Sequence, residues 1–242
     1  MFRMLRTLPF TLALAALSII TACGGSSSAK FRLVNAIPDI PGNPPFDVLI
    51  DGKVVETAVN FDSVTPASGY LSVLSGSRHL QLFPTGTTTG AYFDGNVSLN
   101  SGTDYTVTAT GSAASNTIVA PLFTDNNTAP TSGNAGLRFI QASPSGLSSL
   151  QSVDIYLVAP GTTDISGISP SISSVAYPSA STYLSVPAGA YDILITPAGF
   201  KAINIDDQNQ SFSSGQIRTY VLVDVLNGGS MSSTPLVLND LN

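Results

Sequence analysis

The chain has 242 residues, a net charge of −6 and only 10% charged side chains, so Ser, Thr and Asn supply much of its polar surface. An acidic chain repels phosphate backbones, which argues against nucleic acid as a partner. The sequence contains one cysteine and one histidine, His79. This leaves no intramolecular disulfide and few ways to build a Ser-His-Asp triad or a zinc site.

The first 22 residues are typical of a signal peptide. Two arginines precede an apolar run at 8–20 that is short for a membrane span. The run ends in Ile20-Thr21-Ala22-Cys23, which resembles the lipobox of bacterial lipoproteins. The resemblance implies cleavage before Cys23 and acylation of Cys23, and two or three acyl chains would hold the protein on a bilayer. A secreted protein with an incidental cysteine is the alternative.

Residues 23–30 are therefore predicted to be a lipidated cysteine and a flexible tether, because Gly/Ser chains behave as random coil. Gly24, not Asp, follows the cysteine, which in lipoproteins implies the outer membrane where an organism has two membranes. Without Arg3 and Arg6 the nine basic residues fall to seven against 15 acidic ones, a net charge of −8. The expected location is the cell envelope, with the membrane as a partner through the lipid.

The rest of the chain divides into two copies. "FRLVNAIPD" from Phe31 reappears as "LRFIQASPS" from Leu137, and "SGYLSVLSGSRHLQLFPTG" from Ser68 reappears as "STYLSVPAGAYDILITPAG" from Ser181. Between the copies, "TDNNTAPTSGN" is typical of a linker. The predicted division is a first domain at 31–123, a linker at 124–134 and a second domain at 135–242. We expect the two domains to fold independently.

Within each copy the apolar residues alternate as in strands, and helical periodicity is nearly absent outside the signal peptide. Asp51-Gly52 lies between apolar runs and predicts a hairpin, and Ser75-Gly76-Ser77 predicts another. Short strands spaced about 8–12 residues apart favour a sandwich with Greek-key connections over a barrel.

Three motifs of the second copy carry a family resemblance. They are Arg-x-x-x-Ala-x-Pro from Arg138, Val-Asp-Ile-Tyr from Val153 and Tyr-Leu-Ser-Val-Pro-Ala-Gly-x-Tyr from Tyr183. They resemble the domain-of-unknown-function 4397 family of bacterial secreted and lipid-anchored proteins. The first copy departs from the pattern at Leu74 and carries a Pro-rich insertion at 41–45. The resemblance implies two tandem immunoglobulin-like or transthyretin-like antiparallel β-sandwich domains after the signal peptide, and it brings no catalytic residues.

The repeat also duplicates two charges. Arg32 aligns with Arg138, and Asp47 aligns with Asp154. An arginine held near a carboxylate on the neighbouring strand forms a stable pair, whereas either charge alone is costly to bury. We therefore predict structural pairs between Arg32 and Asp47 and between Arg138 and Asp154, with a ligand site as the alternative.

One acidic cluster, Asp206, Asp207 and Asn209, has oxygen ligands that suit calcium, and it is predicted to lie in a loop. The spacing lacks the pattern of an EF-hand, so a solvated turn is the favoured interpretation. His79 is expected at an exposed strand position. No metal, cofactor or catalytic residue is predicted.

Two functions fit these features. The first is a non-catalytic, lipid-anchored envelope protein that acts in surface interaction or in a structural role, with an envelope protein or a glycan as partner. The alternative is a lipoprotein that binds carbohydrate or a small ligand. Sugar sites use exposed aromatic rings. Since the chain has no Trp, the candidate rings are Tyr92, Phe93, Tyr177 and Phe200.

Overall fold

The computed structural model describes residues 27–146 and 151–241, so the predicted signal peptide and Cys23 lie outside the described residues. Within those ranges the chain forms strands and no helix, which confirms the all-β prediction. The strands of the first half are β1 Ser28–Ala36, β2 Phe46–Ile50, β3 Lys53–Val59, β4 Ser63–Thr65, β5 Leu71–Leu74, β6 Gly76–Pro84, β7 Phe93–Leu99, β8 Asp104–Thr110 and β9 Leu122–Thr124. The strands of the second half are β10 Asn134–Gln141, β11 Ser152–Val158, β12 Ile172–Ala176, β13 Ser179–Ala180, β14 Leu184–Pro187, β15 Gly189–Pro197, β16 Ile205–Phe212, β17 Ile217–Leu222 and β18 Leu236–Leu241.

The two halves have the same strand arrangement. In the first half an inner sheet has the order β4-β1-β8-β9 with β5 also on β1, and an outer sheet has the order β3-β2-β6-β7. The second half repeats this with β13-β10-β17-β18 plus β14 on β10, and with β12-β11-β15-β16. Each inner sheet contains one parallel pair, β1 with β8 or β10 with β17, and the other named pairs are antiparallel. The prediction of two tandem β-sandwiches is confirmed.

Of the two hairpins predicted from the sequence, one is present in the structure and the other is not. Asp51-Gly52 closes a hairpin, since Ile50 pairs with Lys53 across it. The hairpin predicted at Ser75-Gly76-Ser77 is wrong, because β5 pairs with β1 in the inner sheet and β6 pairs with β2 in the outer sheet. The chain crosses between sheets there, and β14 and β15 repeat the crossing. Apolar alternation is the same in a hairpin and in such a crossing, so the sequence does not separate them.

Each half has its own hydrophobic core between its two sheets. Phe31 and Leu33 of β1 pack with residues of the outer sheet such as Phe46 and Leu82, all at most 2% exposed. In the second half Leu137 and Phe139 of β10 do the same. Full burial of such a side chain contributes about 1.5–3 kcal/mol. Because successive strand residues face opposite sides, Arg32 and Val34 point away from this core.

A third core joins the halves through the other faces of the inner sheets. It contains Val34 and Ala36 of β1, Ile140 of β10 and Val221 of β17, none of them accessible to solvent. Both faces of β1 and β10 are therefore buried, and the molecule is a stack of four sheets. Such a shared core couples the halves. We therefore expect them to unfold together, contrary to the independence inferred from the sequence.

The predicted boundary residues take part in this structure. The segment 124–134 starts at the end of β9 and ends at the start of β10, and Asp125 inside it is only 7% exposed. Three residues of the predicted tether, 28–30, form the start of β1, where Ala29 is buried. The ordered sandwich thus begins closer to Cys23 than the composition indicates.

Candidate functional site

The most distinctive feature of the structure is a buried set of charges between the inner sheets, which we call the charged layer. It comprises Arg32, Tyr70, Thr106 and Asp125 of the first half and Arg138, Tyr183, Thr219 and Asp240 of the second. Arg32 and Arg138 are 4% and 2% exposed. The alternation of β1 and β10 places them on the face opposite each half's own core.

In the first half, Arg32 Nε donates to Thr106 Oγ1 at 2.9 Å, and that hydroxyl donates to Asp125 at 2.7 Å. The Tyr70 hydroxyl also donates to Asp125, at 2.7 Å. The Arg32 guanidinium lies 5.0 Å from the centre of the Tyr70 ring and forms a salt bridge with Asp240 of the other half. Asp125 therefore receives hydrogen bonds from its own half, and Arg32 reaches across the interface.

The second half repeats the arrangement. Arg138 Nε donates to Thr219 Oγ1 at 3.1 Å, and Thr219 donates to Asp240 at 2.5 Å. The guanidinium lies 4.7 Å from the centre of the Tyr183 ring. Arg138 Nη2 forms a salt bridge of 2.7 Å with Asp125 of the first half. Each arginine is thus paired with the carboxylate of the opposite half, and Arg32 Nη2 also lies 3.3 Å from Asp125 of its own half.

The surroundings of Arg32 favour its charged form, and those of Tyr70 and Tyr183 favour the neutral phenol. Burial acts to lower the pKa of Arg32, but the carboxylates of Asp240 and Asp125 outweigh it and raise that pKa above its usual value. Burial raises the pKa of Tyr183 to about 12 and also raises the pKa of Tyr70, so both phenols stay protonated and donate. Two positive and two negative groups balance, which suits a layer that holds sheets together.

The predicted pair between Arg32 and Asp47 is wrong. The Asp47 carboxylate accepts backbone N–H groups from Ala58 and Gly86, both at 2.9 Å. Burial acts to raise the pKa of Asp47, yet these two hydrogen bonds lower it on balance. Ala58 has a φ of +54°, so the carboxylate fixes a residue in the left-handed region.

The predicted pair between Arg138 and Asp154 is wrong for the same reason. Asp154 accepts the N–H groups of Ser174 and Gly199, both at 2.8 Å. Ser174 also has a φ of +54°, so both halves use the same device. The repeated aspartates tie an edge strand and a Pro-x-Gly turn to the outer sheet, and the repeated arginines belong to the interface.

Six members of the charged layer were not predicted from the sequence: Tyr70, Thr106, Asp125, Tyr183, Thr219 and Asp240. One signal was available, because Tyr70 and Tyr183 align in the repeat. Asp125 fell in the predicted linker, whose polar composition gives no indication of burial.

A shallow groove opens at each arginine. The groove beside Arg32 has a volume of about 310 Å³ and is lined also by Val64, Gly69 and Asp240. The groove beside Arg138 has a volume of about 370 Å³ and is also lined by Tyr183. Because the carboxylates of the charged layer already pair with both guanidinium groups, neither groove offers an uncompensated charge to a ligand.

The predicted acidic loop is part of a strand. Asp206, Asp207 and Asn209 lie on β16, where the amides of Gln208 and Gln210 donate to the two carboxylates at 2.7 and 2.9 Å. Burial raises the pKa of Asp207. Within residues 27–146 and 151–241 no group of three or more His, Cys, Asp or Glu residues is placed to hold a metal ion. The geometry gives no support to a calcium site.

The other candidates lie apart from the charged layer. His79 is on β6, with 42% of its side chain exposed and Nε2 2.5 Å from Asp94. Among the candidate aromatic residues, Tyr92 and Phe93 pack against the first core and Tyr177 is half-buried. Phe200 is 58% exposed. The candidate rings therefore do not form a shared stacking platform.

Similarity to solved structures is weak. The Bacillus anthracis TIE protein is 12% identical, with 81% of this chain and 33% of that chain covered and a TM-score of 0.24. A streptococcal virulence factor described by its α-glucan binding is 13% identical, with 85% and 97% covered and a TM-score of 0.25. A family CBM26 module of Eubacterium rectale Amy13K, solved with maltoheptaose, is 11% identical, with 89% and 98% covered and a TM-score of 0.24. This chain spans about a third of the TIE protein's length. Likenesses at these scores support no inference about function.

Sequence comparison gives a clearer result. No curated protein of similar sequence was found. The profile of the domain of unknown function DUF4397 matches residues 29–156, more than half of the chain. The match covers the first half and continues through β10 and most of β11, although the motifs resembled the family most closely in the second copy. The chain belongs to the DUF4397 family.

Proposed function

We propose that the protein is a non-catalytic, lipid-anchored module of the cell envelope, on the outer membrane where there are two membranes. Its paired sandwiches act in surface interaction or in a structural role, with an envelope protein or a glycan as the partner. In the part of the chain that the structure describes, no helix is long and apolar enough to cross a membrane. The proposal assigns membrane attachment to the acyl chains of Cys23.

One observation carries the proposal. Strand β1 begins at Ser28, five residues after Cys23, and Ala29 is 1% exposed. An anchor at Cys23 would thus connect almost directly to a buried strand of the inner sheet. The charged layer also supports a structural role, because it joins the two sandwiches through buried ion pairs. Either charge of such a pair would be costly to bury without its partner.

Lipidation of the full-length protein in its bacterial host tests the proposal. Mass spectrometry of the mature N-terminus should find an acylated Cys23, and Cys23→Ser should move the protein from the membrane fraction or leave it unprocessed. A matched Ser26→Ala variant should stay in the membrane fraction. Unchanged membrane partitioning of the Cys23→Ser variant, with cleavage at another residue, would contradict the anchor.

A glycan array with the soluble Cys23→Ser protein tests the alternative function, carbohydrate binding. Saturable binding that Phe200→Ala abolishes, while Phe93→Ala leaves it unchanged, would favour a carbohydrate-binding lipoprotein. We expect no such binding at Phe200, since the candidate rings are dispersed.

A further inference from the structure

The parallel strands of the two inner sheets all start at one end of the molecule. β1 is parallel to β8, and β10 is parallel to β17. Across the interface, Arg138 Nη2 donates to Thr106 Oγ1 at 3.4 Å, and Thr110 Oγ1 donates to the Ala142 carbonyl at 2.5 Å. Thr106 and Thr110 are four residues apart on β8, and their partners Arg138 and Ala142 are also four residues apart and follow in the same order. β8 and β10 therefore run in the same direction, and we call the end where these strands begin the anchor end.

The two halves close the anchor end with the same backbone hydrogen bonds. In the first half the N–H donors and carbonyl acceptors are Ser75 to Ser27, Gly102 to Ser28 and Lys30 to Thr103, at 2.8–3.0 Å. In the second half they are Ala188 to Gly133, Gly215 to Asn134 and Gly136 to Gln216, each at 2.8 Å. The equivalent turns of the two sandwiches thus lie at the same end, side by side.

The anchor end is free of charge at its tip. Five segments form that tip, 74–77, 100–103, 131–133, 187–190 and 213–216, and none contains Asp, Glu, Lys or Arg in a chain of net charge −6. Leu74 within them is 53% exposed.

The charges nearest the tip in the first half are paired. Asp51 forms a salt bridge with Arg78 at 2.9 Å, and Asp104 lies 4.0 Å from Lys30. At the opposite end, beyond the last residues of β1 and β17, Asp39 is partly exposed and Asp224 is buried, and both carboxylates accept hydrogen bonds. The tip itself thus carries no charged side chain, and the charges beside it in the first half form pairs.

We propose that the anchor end of both sandwiches rests on the lipid headgroups of the bilayer that holds Cys23, with the opposite end directed away from it. This inference rests on the proposed lipid anchor. Four peptide units separate Cys23 from Ser27 and span at most about 14 Å, which keeps β1 close to the bilayer. An uncharged tip meets no electrostatic repulsion from a membrane that carries anionic lipids.

The geometry also sets the distance of the opposite end. Inner strands such as β1 and β8 contain nine and seven residues. At about 3.3 Å per residue they hold the far loops about 25 Å further from the bilayer than the tip. Both sandwiches contact the surface because they stand side by side, so the second half does not project outward from the first.

Fluorescence quenching on the full-length lipidated protein tests this orientation. The chain contains one cysteine, Cys23, whose thiol is acylated in the proposal, so a single added cysteine can be labelled selectively. Ser101→Cys and Ala188→Cys place a fluorophore at the tip of the first and second halves, and Ala114→Cys and Ser230→Cys place it at exposed sites of the opposite end. The labelled proteins are reconstituted into phosphatidylcholine vesicles that contain a headgroup-nitroxide lipid as quencher.

We expect quenching severalfold stronger at positions 101 and 188 than at 114 and 230. Quenching at 101 without quenching at 188, or equal quenching at all four positions, overturns the orientation. Mass spectrometry of the same samples separates the two proposals. An acylated Cys23 with the wrong quenching pattern contradicts the orientation alone, and a protein without acyl chains that fails to bind the vesicles contradicts both.

Discussion

The inner sheets of the two halves are alike in their charged residues, whereas the outer sheets share Asp47 and Asp154 but differ at other charged positions. Arg32 and Arg138 use the same kind of partner at the same atoms, Nε to a threonine and the terminal nitrogens to aspartates. The face that carries them is buried in both halves. Repetition there maintains the contact between the sandwiches.

The outer sheets show what changes when that contact is absent. His79 of β6 lies beside Asp94 at an exposed site, whereas the aligned Asp192 of β15 is 2% exposed and accepts the N–H groups of Gly161 and Asn209 at 2.6 and 2.8 Å. The same position of the repeat is thus an exposed side chain in the first half, and in the second half it is a buried carboxylate that binds two backbone N–H groups. Charges that are repeated in both halves therefore have structural roles, whereas residues at exposed positions of the outer sheets differ between the halves.

The largest expected effect comes from removing one charge from the shared interface. Arg138→Ala leaves Asp125 and Asp240 with one arginine between them, so we expect a loss of about 3–5 kcal/mol in the free energy of unfolding. Urea denaturation measures the loss. Lys53→Ala, at an exposed position, should stay within about 0.5 kcal/mol of the wild type. Equal effects of the two substitutions would contradict the structural role of the charged layer.

Removing a repeated aspartate of the outer sheets should have a smaller effect that is similar in both halves. Asp47→Ala or Asp154→Ala leaves two backbone N–H groups without an acceptor, which costs about 1–3 kcal/mol. The control is Asp164→Ala, because this exposed carboxylate accepts only a local bond from Ser166. A loss at one aspartate only would show that the halves differ here too.

The stability contribution of Asp47 should depend on pH. Its pKa in the folded state is lowered, so its contribution is fully present above the ordinary carboxyl pKa of about 3.9 and is lost as the pH falls through the folded value. The difference in urea midpoint between the wild type and Asp47→Asn should therefore shrink between pH 6 and pH 3. A difference that grows on acidification would be the opposite of this expectation.

The smallest effect is expected at the surface pair of the first half. His79→Ala removes an exposed contact with Asp94, and such pairs contribute about 0–1 kcal/mol. Thermal unfolding should show a shift close to the error of measurement. At the aligned site, Asp192→Ala should cost clearly more, since that carboxylate is buried and holds two backbone groups.

Much of the fold could be predicted from the sequence because it depends on local patterns. The alignment of Arg32 with Arg138 and of Gly102 with Gly215 holds in the structure, where the equivalent residues make equivalent backbone bonds. The Asp51-Gly52 hairpin follows from turn chemistry alone.

The partners of the arginines could not be predicted in the same way. β1 and β2 belong to different sheets, so Asp47 is not on a strand adjacent to Arg32. The partners Asp125 and Asp240 are 93 and 208 residues from Arg32 in the sequence, and Asp240 reaches it only when the two sandwiches dock. A period of two assigns Arg32 to the face opposite Phe31 but does not reveal what covers that face.

A pair of double-mutant cycles tests most directly the central claim that the repeated arginines join the two sandwiches. The substitutions are Arg138→Ala with Asp125→Ala across the interface, and Arg138→Ala with Asp154→Ala within the second half. We predict that the first pair loses less than the sum of its single losses by about 1 kcal/mol or more, while the second pair adds within about 0.5 kcal/mol. Coupling of Arg138 with Asp154 and additivity with Asp125 would contradict the account.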